Sequence, residues 1–399
     1  MSDIQKLKEE RYQNLISIYT GKMPSRVPLH TSLSFEACVE YARMKGVIPA
    51  DKSLREISWE TETWFEIFEP VNEDFFSDSA TGAGAFRFPL LYQILDARCI
   101  NMSSTGVMQH PEVHSLEPEE YDEFIKDPFY YMSEVLMPRL YPALDTTPGR
   151  RAMKLAQAVK ANADQTAVLG GVMGKINEKF GFAGIPGGRS TAPFDFLADF
   201  LRSFTGISKD IRRYPDKVIA ACDALVPLML RESFGRRTAQ QLPEYFRSNI
   251  PLHMGSFLNE KHFEKFWWPS FKDLMDKLVE GGPGHGVDIF VEDDWMRHMD
   301  FLKDLNGCIR MQFEYGDEKF VKEKLSGTSH VITGFFPVNT LIYGKKQDVI
   351  DKAKYQMDIL APGGGYIMGF DKGLMHMNEQ IAENLRTLGD FVREYGVYK

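Results

Sequence analysis

The chain has 399 residues, 43% of them apolar, enough for a large buried core, with a net charge of −9 and a pI near 5.6. That charge excludes the broad basic field a nucleic-acid backbone needs and disfavours an anionic membrane, while leaving room for an anionic substrate held by a few local arginines. The four cysteines, Cys38, Cys99, Cys222 and Cys308, form no CxxC pair and read as reduced, buried thiols of a reducing compartment.

The N-terminal run MSDIQKLKEERYQNL predicts a charged amphipathic helix over 3–20, with no apolar signal core. No stretch approaches about 18 uninterrupted apolar residues, so no membrane span is expected and a cytoplasmic location follows by default. A short strand is predicted at 27–30, after the turn residues of GKMPSRVPLH. Residues 48–150 are irregular, aromatic and acidic, and read as an insertion or cap. Helices are predicted over 147–180, 194–201 and 215–232, the last with Pro215 at its first position.

The C-terminal part is more regular. Strands are predicted at 250–254, 287–291, 308–313, 330–336 and 366–370. Each is followed by a predicted helix, at 260–280, 295–306, 319–325, 346–359 and 378–395. Strands alternating with helices imply a parallel sheet with right-handed crossovers, and the nearly continuous apolar strands VDIFV, CIRMQF and HVITGFF imply cover on both faces. The expected class is therefore α/β, a single (β/α)₈ TIM barrel over 1–399 with an N-terminal helical and irregular elaboration. A doubly wound open sheet is the alternative. No GxGxxG follows a strand, so a dinucleotide-binding sheet fits poorly.

In such a barrel, ligands bind where strands run into the following loops. Those positions hold His30 and Thr31, His253, Glu292 to Trp295, Glu314 to Asp317, Asn339, and Asp371 with His376 beyond it. Carboxylates converging in a half-buried mouth repel one another and need a cation, a proton or a positively charged substrate. Glu292, Glu314 and His253 are the predicted catalytic residues, and their oxygen and nitrogen donors suit a divalent metal such as zinc. His30, Trp295, Asp317, Asn339, Asp371 and His376 are the predicted substrate contacts. Asp294 precedes a helix and is a natural cap; His285 and His298 read as solvent-facing.

The run APFDFLADFLRSFTGISKDIRRYPDKV resembles the central segment of the uroporphyrinogen decarboxylase superfamily. SFLNEKHFEKFWWPSFKDLMDKL is similar to its segment after the fifth strand, and VITGFFPVNTLIYGKKQDVIDKAKYQM with GGGYIMGFDKG and ENLRTLGDFVREYG to its carboxyl-terminal signature. GKMPSRVPLH resembles the family's opening. The resemblance implies the barrel and one of two activities: decarboxylation of a porphyrinogen without cofactor, or methyl transfer involving a corrinoid protein and zinc. The decarboxylases carry an arginine-rich loop after the first strand, where this chain reads LHTSLSFEA. The thiol methyltransferases carry a His-x-Cys pair and a later cysteine, where this chain has Glu292, Asp293 and Asp294, then Phe370, Asp371 and Lys372. The resemblance therefore points to the corrinoid-dependent methyltransferase-like branch, acting on a small methoxyl, methylamine or betaine-type donor with a cobalamin-carrying partner protein. It implies an oxygen-rich zinc site of Glu292, Glu314 and His253. Trp64, Phe65, Phe68, Trp267, Trp268 and Trp295 are candidates for an aromatic cage around a cationic donor, and a homodimer is left open.

Overall fold

The computed structural model describes residues 2–51, 56–81, 90–102 and 108–398. Nine strands form among them: β1 (Leu29–His30), β2 (Asn101–Met102), β3 (Met108–Gln109), β4 (Gly187–Arg189), β5 (Phe246–Leu252), β6 (His285–Val291), β7 (Cys308–Phe313), β8 (Val331–Phe336) and β9 (Met368–Phe370). β2 and β3 make a separate antiparallel ribbon. The other seven form one all-parallel sheet in the order β1-β9-β8-β7-β6-β5-β4. Helices follow its later strands, so both faces are covered and inward and outward residues alike are buried, as along the whole of β8 from Val331 to Phe336.

The class is thus α/β with a parallel, barrel-like sheet. Seven of the expected eight barrel strands are formed among the described residues. Along the outer edge of β1 runs the segment 77–81 instead, with Asp78 N–H donating to Leu29 O at 2.7 Å. The Asp78 carboxylate replaces further ladder bonds, accepting Leu29 N–H at 2.8 Å and both arms of Arg26 at 2.6 and 2.5 Å.

The first helix, Asp3–Tyr19, starts at a capping box between Ser2 and Gln5. Its Leu15, Ile18 and Tyr19 pack against Cys308 and Val331, the first residues of β7 and β8. It therefore closes the amino-terminal end of the sheet and leaves the carboxyl end free for chemistry. Within 48–150 the structure is more regular than expected. Thr61–Asp74 is a helix whose Trp64 and Phe68 pack in the main core with Phe35, and it lies on the long helix Pro148–Phe180. Residues 52–55, 82–89 and 103–107 of that expected cap lie outside the described residues. All four cysteines are free and buried. Among the described residues no helix is long and apolar enough to cross a membrane.

Candidate functional site

Parallel register decides which side chains meet. Leu252 pairs with Val291, and Val291 with Phe313, so the next residues, His253, Glu292 and Glu314, leave adjacent strands at one rim. The ladder continues one step beyond the strands, through Glu292 N–H to Leu252 O at 3.3 Å and Glu314 N–H to Val291 O at 3.2 Å. Adjacent departure does not give a shared purpose.

His253 and Glu292 line a cavity of about 600 Å³ together with Asp195, Asp199 and Arg189. The two aspartates come from Pro193–Phe196 and the π-helical turn Leu197–Arg202 that continues it. His253 Nδ1 lies 3.1 and 3.3 Å from the two Asp199 oxygens. Buried Asp195 holds the same loop from behind, accepting His253 N–H at 2.8 Å and Trp267 Nε1–H at 2.6 Å. The hydrogen bond to Asp199 raises the His253 pKa to about 9, against burial, which lowers it. Burial pushes Asp195 up to about 7, opposed by the His253 amide and helped by the nearby Asp199 charge. Burial also raises Glu292, with His253 opposing and Glu314 and Asp199 adding to the rise. The result is an imidazolium flanked by carboxyls, able to give or take a proton at Nε2.

Two of the four non-glycine residues with positive φ among the described residues, Ser203 and Asp293, lie at the same place. Ser203, on the cavity wall, adopts φ 63° and ψ 162°, a region suited to glycine, while its hydroxyl caps Gly206 N–H at 3.2 Å. Asp293, directly after Glu292, has φ 67°. Strain of this kind costs about 1–3 kcal/mol per residue and persists where the surroundings impose it.

The other expected site residues go elsewhere. Glu314 is held by Lys372 Nζ at 2.7 Å and by Asp293 N–H at 3.0 Å, so both its oxygens are engaged. No group of three or more His, Cys, Asp or Glu side chains among the described residues is disposed to hold a metal ion. The predicted zinc trio of Glu292, Glu314 and His253 is therefore not assembled as a metal site, and Lys372 already pairs with one of its three members. Trp295 is fully buried, donates Nε1–H to Glu292 O at 2.7 Å, and packs edge-on against Trp267. With Trp64, Phe68 and Trp267 buried as well, the expected aromatic cage is core. Asp317 caps the helix Glu318–Lys324 through Phe320 N–H at 2.9 Å, and Asp371 caps Val338–Tyr343 through Val338 N–H at 3.0 Å. Asn339 is exposed on that helix, and His376 is exposed at 3.7 Å from Glu40. His30 lines a different cavity. His298 and His285, expected in solvent, are both buried, His298 stacked on Phe263 at 3.9 Å.

No curated protein matches the chain. A solved structure, a methyltransferase from Methanosarcina mazei, is similar to it with a TM-score of 0.61 and 14% identity, over 98% of this chain and 98% of that one. At that identity the likeness shows a shared fold. The family model described as uroporphyrinogen decarboxylase matches residues 152–395, which include β4 to β9, His253 and Glu292. The chain belongs to the uroporphyrinogen decarboxylase family.

Proposed function

We propose that the protein is a methyltransferase that moves a methyl group from a small methoxyl, methylamine or betaine-type donor to a corrinoid carried by a partner protein. The observation that carries this reading is the His253–Asp199 pair beside Glu292 in the strand-end cavity. With Nδ1 engaged by Asp199, Nε2 is the nitrogen left to serve a donor. When the bond between the methyl carbon and oxygen breaks, the electron pair stays on oxygen, and the proton from His253 Nε2 neutralises it. The corrinoid, when docked, supplies the nucleophile that accepts the methyl group. Glu292, when ionised, offsets the charge of a methylammonium donor in the same cavity. Phe204 and Phe257, exposed and edge-on at 5.3 Å on the cavity rim, offer apolar surface to an incoming partner.

Family membership and a structural neighbour named a methyltransferase support the reading. Porphyrinogen decarboxylation has less support, because the loop that follows β1, Thr31 to Ala37, itself contributes no arginine to hold a polycarboxylate. The test is incubation with cob(I)alamin and a panel of methoxyarenes, methylamines and betaines, followed by visible spectroscopy. Methylcobalamin from at least one donor class is expected; no transfer across the panel overturns the proposal.

A further inference from the structure

A second cavity, of about 340 Å³, sits among β1, β7, β8 and β9 and shares no lining residue with the His253 cavity. Its polar lining includes His30, Thr31, Thr81, Arg310, Gln312 and Thr333. The charges beneath it do not balance. Asp288 accepts Arg247 Nε at 2.6 Å with one oxygen and lies 2.9 Å from Arg310 Nη2 with the other. One carboxylate thus serves two largely buried guanidiniums. Asp78 is shared in the same way, between Arg26 at 2.5 Å and Arg11 at 3.5 Å, and Glu10 reaches Arg26 at 3.3 Å. Among these described groups, four arginines face three carboxylates, and one positive charge is left over.

His30 does not add to the surplus, because burial and the Arg310 charge push its pKa down to about 4. Two nitrogens of lining residues, His30 Nε2 and Arg310 Nε, are buried without a hydrogen-bond partner. Donors remain to spare. The Thr31 and Thr81 hydroxyls bond each other at 2.8 Å, which uses one of their two protons, and Gln312 gives one amide hydrogen to Phe370 O at 3.2 Å and keeps the other. A buried positive charge without a counter-charge is costly, and donors without acceptors add to the cost.

We propose that this cavity binds a small organic carboxylate, held by Arg310 with Gln312 and the threonine hydroxyls around it. A monoanion matches a surplus of one charge, whereas a phosphate dianion would leave a buried negative charge unpaired. At roughly 30 Å³ per small group, the space suits a ligand of about ten non-hydrogen atoms. The proposal does not depend on methyl transfer, since the two cavities have separate linings.

Titration calorimetry of the full chain at pH 7.5 tests it with acetate, propionate and benzoate, with benzamide as the neutral counterpart of benzoate and inorganic phosphate as the dianion. Saturable binding of at least one carboxylate is expected, at least tenfold tighter than benzamide or phosphate. Arg310→Met leaves Asp288 paired one-to-one with Arg247, so the variant is expected to fold, and it should weaken the carboxylate at least tenfold. Lys372→Met, a cation outside this cavity, should change it less than twofold. No saturable carboxylate binding, equal binding of benzoate and benzamide, tighter phosphate, or an unchanged Arg310→Met affinity would each overturn the assignment.

Discussion

Replacing Asp199 by Asn keeps the shape of the group beside His253 Nδ1 and an oxygen that can accept its proton, but removes the negative charge. In the wild type that partner holds the imidazole at a pKa of about 9, where burial alone would lower it. Without the charge the value should fall toward the ordinary 6.5. At pH 7.5 the protonated fraction then drops from about 0.97 to about 0.1, roughly tenfold, as follows from midpoints near 9 and near 6.5. The assay is an NMR titration of the His253 ring proton, run beside the pH profile of methyl transfer. The alkaline limb of the rate should move down with the midpoint. Stability should follow the same sign. A histidine with a raised folded-state pKa contributes stability that is complete below about pH 6.5 and lost as the pH rises through about 9, so Asp199→Asn should flatten that slope. A wild-type midpoint below 7.5, or a variant that titrates like the wild type, would refute the reasoning.

Two further outcomes separate packing from chemistry. Trp295→Ala should destabilise the fold by about 3–5 kcal/mol in urea unfolding, because the ring is fully buried against Trp267 and Gly255; a loss under about 1 kcal/mol with a weakened donor KM would make Trp295 a substrate wall after all. Ser203→Gly should relieve the strained φ of 63° and raise stability by about 1 kcal/mol while lowering methyl-transfer activity. An unchanged or lower unfolding midpoint would show that Ser203 is not strained.

The later half of the fold was legible because its strands are apolar on both faces and are punctuated by helices. β5 to β9 all fall within a few residues of the ranges the pattern predicts. β4 was not, since two of its three residues are glycines and carry no hydrophobic signal. They are there because the backbone is close: a Cβ on Gly188 would lie 2.2 Å from Ser233 O. His253 and Glu292 were found from their strand ends. The role of Glu314 is not legible from its strand end, because Lys372, which follows Asp371 beyond another strand, reaches across to pair with it. Asp195 and Asp199 do not lie at a strand end, yet the sequence carries a signal for them. They stand four residues apart in PFDFLADF, a spacing that puts both carboxylates on one helix face. Whether that face meets a histidine is a tertiary fact that only the packing against β5 reveals. His298 shows the opposite error: a polar residue in a helical stretch reads as surface, yet it stacks on Phe263 in the core.

The proton at His253 Nε2 is the central claim, and it matters most where the leaving group needs one. Single-turnover methyl transfer to cob(I)alamin should therefore be compared for wild type and His253→Gln, using a methoxyl donor and a quaternary ammonium donor. Loss of the general acid should slow the methoxyl reaction by about 10²–10⁴-fold and the ammonium reaction, whose amine leaves neutral, far less. Equal rates for the two proteins on the methoxyl donor would contradict the account.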